Sequence, residues 1–366
     1  MAEQNLRYAV VTGANKGIGF ETVKQLASNG VKVVLTARDE NRGQEAIGKL
    51  KDYGLSDLVT FHQLDVTHSA SIHSLVEFVK TQFGKLDILV NNAGINGVNL
   101  DEVEEGSAFN WGELTQTYEM VEKCLTTNYY GAKQVTEAFL PLLQLSNSPR
   151  IVNVSSQSGL LKNIAHEWAK GVLNDAENLT EEKIDEVLRE FIKDFKEDSL
   201  ETKGWPTFVS AYIVSKAAMN SYTRILAKKH QNVIINSLCP GFVKTDINKN
   251  SGILSVDEGA ASVVRLALFP DGSPSGLFYV RQELRVGSLE AQLAKEKARR
   301  QNKDDVRQSV PRTEPPVNTG FVSPTDIDGN EQPLKTYVRV RSRRRYKGRA
   351  LRTPYTGTVV LRIKNE

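Results

Sequence analysis

A short apolar strand, Tyr8–Thr12, runs straight into Gly13-Ala14-Asn15-Lys16-Gly17-Ile18-Gly19 and then into a stretch with helical spacing of apolar residues. No other feature constrains the fold as strongly. Glycine allows the tight turn and the close approach of a backbone to a diphosphate, and the amide groups at the start of the helix carry partial positive charge to meet it. A G-x-x-x-G-x-G spacing in this position predicts that the chain opens with a nucleotide-binding βα unit.

The same βα rhythm continues downstream. Apolar, β-branched runs at 8–12, 32–36, 59–63, 88–91, 150–154, 234–238 and 277–279 read as strands. Between them, stretches at about 18–29, 41–53, 69–83, 117–143, 211–230 and 257–268 repeat an apolar residue every three or four positions and read as helices. Such alternation predicts an α/β fold, a Rossmann-type doubly wound parallel sheet with ligands bound beyond the carboxyl ends of its strands. One segment breaks the rhythm. Roughly forty residues, 160–205, separate a strand from the next core helix, and within them Thr180-Glu-Glu precedes Ile184, Val187, Leu188, Phe191 and Phe195 at helical spacing. This predicts a helical insertion capped by Thr180.

Charge divides the chain into two parts. Residues 1–287 carry 29 Lys+Arg against 35 Asp+Glu, a net of −6, whereas residues 288–366 carry 18 against 9, a net of +9. The second part also contains the Pro-rich stretch 310–316 and the arginine-rich run 339–352. The expected organisation is therefore a domain over 1–287 and a basic extension over 288–366. Clustered arginines can bind a polyanion by releasing counterions, but charge runs are more often simply solvated, so nucleic acid is not an expected partner.

The two cysteines, Cys124 and Cys239, form no CxxC or Cys/His cluster, so neither a disulfide framework nor a metal site is expected. No apolar run reaches membrane-spanning length and the N-terminus lacks the pattern of an export signal, which points to a cytoplasmic protein.

The strand ends supply the candidate site. After the second strand come Arg38 and Asp39; an acid at this place accepts the ribose 2′-OH of NAD, whereas arginine accommodates the 2′-phosphate of NADP. Arg38, with Lys16 as a second cation, favours NADPH. Asp65 and Val66 follow the third strand, where Asp65 could accept from an adenine amino group, and Asn91-Asn92-Ala93-Gly94 follow the fourth. Asn91, Ala93 and Gly94 would let the backbone lie against the cofactor, although an Asn pair also makes turns. Ser155 and Ser156 end the fifth strand, and Tyr212 and Lys216, four residues apart, share one helix face. Carbonyl reduction needs a hydride donor and an acid beside the developing alkoxide. A tyrosine with a nearby ammonium and a serine hydroxyl can serve that need.

Together these motifs resemble the short-chain dehydrogenase/reductase family over roughly residues 6–285: TGxxxGIG at Thr12–Gly19, NNAG at Asn91–Gly94, Ser156 before Gln-Ser-Gly159, YxxxK at Tyr212–Lys216, and Pro240-Gly241 with Thr245. The resemblance implies a tetrad in which Tyr212 is the acid/base, Ser156 orients the carbonyl, Lys216 lowers the tyrosine pKa, and Asn128 holds a relay water. Ser155 is the weaker match to the family serine. It further implies NADPH/NADP+ contacts from Gly13, Asn15, Lys16, Gly17, Ile18 and Gly19, from Arg38, Asp65 and Val66, from Asn91, Ala93 and Gly94, from Tyr212 and Lys216, and from Pro240, Gly241, Val243 and Thr245.

The insertion is similar to that of the monomeric carbonyl-reductase branch, where it covers the surface used elsewhere for oligomers, so the resemblance implies a monomer. That branch acts on small apolar carbonyl compounds such as menthone, with Trp168, Trp205 and Phe208 as candidate pocket walls; core packing is the competing role for these aromatics. A member that reduces a ring C=C bond carries Glu at the tyrosine position, so Tyr212 points to ketone or aldehyde chemistry. The rival reading from another class is a catalytically idle Rossmann-fold binding module with a polyanion-binding tail.

Overall fold

A computed structural model describes residues 6–284. The expected boundary near Ser288 and the basic extension lie outside the described residues. Eight strands form one sheet in the order β3-β2-β1-β4-β5-β6-β7-β8: β1 Tyr8–Val11, β2 Lys32–Ala37, β3 Val59–Gln63, β4 Ile88–Asn91, β5 Arg150–Val154, β6 Ile234–Cys239, β7 Phe278–Val280 and β8 Glu283–Leu284. All pair in parallel except β8, which turns back antiparallel on β7. The chain reverses its direction of winding between β1 and β4, and that switch opens a crevice at the carboxyl ends of the central strands.

Strand alternation builds two cores, because successive side chains face opposite sides of the sheet. Ala9, Val11, Val33 and Leu35 pack with Val23 and Leu26 of α1 (Gly17–Ser28), Ala46 and Leu50 of α2 (Glu40–Lys51) and Val263 of α10 (Val256–Ala267). Val10, Val34, Leu89 and Ile151 face the other way, toward α3 (Ser69–Phe83), α4 (Tyr118–Leu125), α5 (Ala132–Leu143) and α9 (Ser210–Lys229).

Two differences from the sequence reading concern helices. The stretch expected as one helix over 117–143 is interrupted: α4 and α5 are joined by a six-residue π turn, Thr126–Gly131, which adds a residue without altering the apolar periodicity that suggested continuity. The insertion holds three helices where one was expected: α6 Glu167–Asn174, α7 Glu181–Lys196 and α8 Leu200–Lys203. Thr180 caps α7 by accepting from the Lys183 amide, and Ile184, Val187, Leu188 and Phe191 are its fully buried face. That face packs against α4 and α9. α6 and α8 are too short to display a period. Among the described residues, no helix is long and apolar enough to cross a membrane.

Candidate active site

The glycine loop joins β1 to α1 and packs against the turn after β4. Gly13 adopts φ +61°, and a Cβ there would lie 2.9 Å from Ala93 Cα, so only glycine lets the two loops touch. Thr12 and Asn92 hold them in place. Thr12 Oγ1 accepts from the Asn92 and Ala93 amides at 2.9 Å each, while Asn92 Nδ2 donates to the carbonyls of Thr12 at 2.8 Å and Gly13 at 3.0 Å. Neither side chain was among the sequence candidates. The only signal was their adjacency to the glycines, which does not reveal a partner eighty residues away.

Lys16 occupies the N-cap position of α1 but caps nothing with its side chain, and the helix has no acidic residue in its first turn. The amides of Gly17, Ile18 and Gly19 therefore point into the crevice without a competing side-chain acceptor, as a diphosphate requires. The Lys16 ammonium pairs with Asp246, from the loop after β6. That loop also carries Pro240, Gly241, Val243 and Thr245, and a Cβ on Gly17 would lie 3.4 Å from Thr245 Cγ2. The two loops thus face each other across the crevice.

At the end of β2, Arg38 is exposed. Asp39 is committed elsewhere: its carboxylate caps α2 by accepting from the Arg42 amide at 2.9 Å. The acid that could have competed for a ribose 2′-OH is thus occupied, and the cation is free to face a 2′-phosphate. Asp65, beyond β3, loses stability as a carboxylate through burial, but hydrogen bonds from the hydroxyl and amide of Thr67, with His68 and Arg38 nearby, outweigh this and hold it below the ordinary carboxylate range. Asn91 is turned inward, donating to Thr136 Oγ1 and Asn153 Oδ1. Only its backbone can border the crevice.

Tyr212 and Lys216 stand one turn apart on α9, and the Lys216 ammonium lies 5.6 Å from the Tyr212 ring centre. Ser156 neighbours the Tyr212 hydroxyl and favours its ionised form, while its own Oγ accepts from the Ser158 amide at 3.1 Å. Ser155 points elsewhere, donating to the backbone of Lys216. Lys216 Nζ donates to the Val154 carbonyl at 2.9 Å. Asn128 lies in the π turn, wholly buried, with Oδ1 accepting from the Ile95 amide at 2.8 Å and Nδ2 donating to the Ile95 carbonyl at 2.9 Å and to Ser215 Oγ at 3.1 Å. Ser215 in turn donates to the Tyr212 carbonyl, so a third missed side chain links Asn128 to the tyrosine's helix. The four residues of the expected tetrad converge from three elements on the carboxyl end of β5.

Burial pushes the Tyr212 pKa up, Ser156 opposing it, and pulls Lys216 down to about 8. Both groups lose solvent together, so the ammonium is weakened by the same environment that disfavours phenolate.

A groove of about 510 Å³ is lined by Gln157, Ser158, Lys162, Asn163, Trp205, Pro206, Thr207, Phe208 and Ile213, of which Gln157 and Ile213 are the chain neighbours of Ser156 and Tyr212. Phe208 is half exposed there. Trp205 closes the groove from within the insertion: it is 3% exposed and its indole N–H is committed to Asp194 at 2.8 Å. Trp168 does not line the groove. Ala169 and Leu173 of α6 face the core, which turns the neighbouring Trp168 outward against His166. Among the described residues, no group of three or more His, Cys, Asp or Glu could hold a metal ion.

The family model for short chain dehydrogenases matches residues 7–168 and 199–253. The gap in that match, 169–198, falls within the insertion. The chain belongs to the short-chain dehydrogenase/reductase family. Among its relatives this dehydrogenase is 60% identical to (+)-neomenthol dehydrogenase of Arabidopsis thaliana over 293 residues, 78% of this chain and 99% of that one. Its structure is similar to that of salutaridine reductase from Papaver somniferum, with a TM-score of 0.71 and 51% identity over 75% of this chain and 99% of that one. Menthone neomenthol reductase from Mentha piperita gives a TM-score of 0.68 and 47% identity over 76% and 99%. The enzyme is thus an oxidoreductase of the alcohol and carbonyl interconverting kind.

Proposed function

We propose that this enzyme is an NADPH-dependent reductase that converts a small apolar ketone or aldehyde, of the menthone kind, to its alcohol, and that it works as a monomer. The observation that carries the reading is the placing of Lys216 5.6 Å from the Tyr212 ring centre on one face of α9, with Asn128 held by Ser215 of the same helix at 3.1 Å. When bound, NADPH supplies the hydride that the carbonyl carbon accepts. Gly13, Asn15, Lys16, Gly17, Ile18 and Gly19 would hold the diphosphate, Arg38 the 2′-phosphate, Asp65 and Val66 the adenine, and Pro240, Gly241, Val243 and Thr245 the rest of the cofactor.

The chain's own residues do the rest. The Ser156 hydroxyl donates to the carbonyl oxygen and orients it beside Tyr212. As negative charge develops on that oxygen, the Tyr212 hydroxyl gives up its proton to it. A tyrosine held above its ordinary pKa is protonated throughout the neutral range but is a weak acid, so its proton transfer depends on stabilisation of the phenolate as it forms. The Lys216 ammonium stabilises the phenolate left behind, and Asn128, fixed between Ile95 and Ser215, holds the water through which a proton returns. The names carried by the relatives, acting on neomenthol, menthone and salutaridine, support a cyclic ketone as substrate class.

The test is loss of NADPH absorbance with menthone, other cyclic ketones and short aldehydes, for the native chain and Tyr212→Phe. Turnover of at least one ketone that drops by about two to four orders of magnitude in Tyr212→Phe, with NADPH binding retained, is the expected result. A native chain that binds NADPH and reduces nothing would instead favour the idle binding module.

A further inference from the structure

The Lys16 ammonium and the Asp246 carboxylate meet across the cofactor crevice. Lys16 ends the glycine loop, just ahead of α1, and Asp246 begins the single helical turn Asp246–Asn248 beyond β6. Among the described residues, neither side chain makes a second hydrogen bond or ion pair. Both are more than half exposed, at 56% and 62%. An ion pair so open to water contributes little to the fold, so stability does not explain why these two charges stand together.

Nor does the Asp246 loop need the pair as an anchor. Asn248 donates to the Val243 carbonyl at 2.9 Å and accepts from the Thr245 amide at 3.3 Å, which closes the turn on itself. On its other side the turn is tied to the loop after β4. Asn96 donates to the Ile247 carbonyl at 2.8 Å, Asn250 to the Glu105 carboxylate at 2.6 Å, and the Gly106 amide to the Lys249 carbonyl at 2.6 Å. These bonds keep Asp246 in place whether or not Lys16 is paired with it.

What the pair does fix is where the Lys16 ammonium stands before a ligand arrives. A carboxylate at the edge of a crevice suited to phosphates would be a fault if tight binding were all that mattered, because it repels the ligand and occupies a cation. A cofactor must also leave once in every turnover, and its release often limits the rate. An exposed pair breaks and re-forms cheaply, as an exchanging partner must. We propose that Asp246 is the exchange partner of Lys16: it holds the ammonium while the crevice is empty, yields it to a phosphate of the entering cofactor, and takes it back as the oxidised cofactor leaves. The inference rests on the cofactor reading above. Under it, Asp246 weakens the grip on the cofactor and hastens its release.

The experiment uses the full chain and reads binding, not turnover: Kd by titration calorimetry and dissociation rate by stopped flow, for NADP+ and NAD+. The variants are Asp246→Asn, Asp246→Glu, Lys16→Met and the double Lys16→Met/Asp246→Asn. Asp246→Asn should tighten NADP+ by about twofold to fivefold, the range set by an exposed pair, and mostly through slower dissociation. Asp246→Glu, which keeps the carboxylate, should stay within about twofold of native. With Lys16 already replaced, Asp246→Asn should change Kd by less than about 1.5-fold, because no ammonium is left to exchange. A gain for NADP+ alone assigns the exchange to the 2′-phosphate, and a gain for both nucleotides assigns it to the diphosphate. Unchanged or weaker binding in Asp246→Asn overturns the proposal. So does an equal gain in both backgrounds, which is plain charge repulsion, or native affinity in Lys16→Met, which leaves the ammonium without a phosphate to hold. A native chain that binds neither nucleotide removes the cofactor reading itself, and this inference with it.

Discussion

Lys216 is asked to carry charge in a place that disfavours it. It is 4% exposed, and burial pulls its pKa from 10.5 to about 8. In the reductive direction the ammonium stabilises the departing proton's phenolate, so kcat for ketone reduction should decline as pH rises through about 8, and a pH–rate profile that stays flat to pH 9.5 or so would remove Lys216 from that role. The sign for stability is opposite. Between the folded and unfolded pKa values the unfolded chain binds the additional proton, so this group's contribution to stability increases as pH rises from about 8 toward 10.5. Arg38 carries a second prediction at this scale. Asp39 is spent on capping α2, and Arg38 is exposed at the end of β2, where it is proposed to meet the 2′-phosphate. A charge-assisted bond is worth about 1.5–3 kcal/mol, so Arg38→Glu should lower the ratio of kcat/KM for NADPH over NADH by about tenfold to a hundredfold. An unchanged ratio would mean that the 2′-phosphate is read elsewhere, with Lys16 the next residue to test.

Among the elements, the insertion is held by one buried acid. Asp194 of α7 takes the Lys203 ammonium at the end of α8, the Trp205 indole N–H at 2.8 Å, and stands 4.0 Å from His166 ahead of α6. Burial opposes its ionisation, but the hydrogen bonds from Lys203 and Trp205 outweigh that and hold its pKa below the ordinary value. Asp194→Ala leaves the indole N–H unpaired in the interior. It should cost about 1–3 kcal/mol by denaturant midpoint and raise the ketone KM, since Trp205–Phe208 walls the groove, while the NADPH KM stays put. A rise in both KM values would show that the insertion communicates with the cofactor cleft as well. What was legible in the sequence follows from this same division. Every βα unit could be read, because strand runs and helix periods are local, and the glycine loop, the Asn91–Gly94 turn and Ser156 sit at strand ends that such a reading locates. The π turn could not, because one added residue leaves the apolar spacing of 117–143 undisturbed. Nor could the contacts of Thr12 with the Asn92 turn or of Lys16 with Asp246, which join loops eighty and 230 positions apart. The exposed place of Trp168 depends on the phase of an eight-residue helix, too short to show a period.

For the whole molecule, the described residues close the sheet with β8 at Leu284, and every proposed site residue lies between Gly13 and Thr245. The α7 face covers part of α4 and α9 within the same chain. A chain ending at Gly287 therefore contains all that the reaction requires. It should sediment as a monomer and reduce the same ketone with kcat within about twofold of the full chain, because no group that touches substrate or stabilises charge is removed. Charge separates the two forms in another assay. The 1–287 part carries a net −6 and the remainder +9, so any retention on a polyanion column at low salt belongs to residues 288–366, should disappear on truncation, and should fall steeply with added salt as counterion release dictates. Loss of turnover in the shortened chain, with its fold intact by circular dichroism, would assign those residues a part in catalysis. Retained turnover with lost retention would place reaction and polyanion binding in separate parts of one polypeptide.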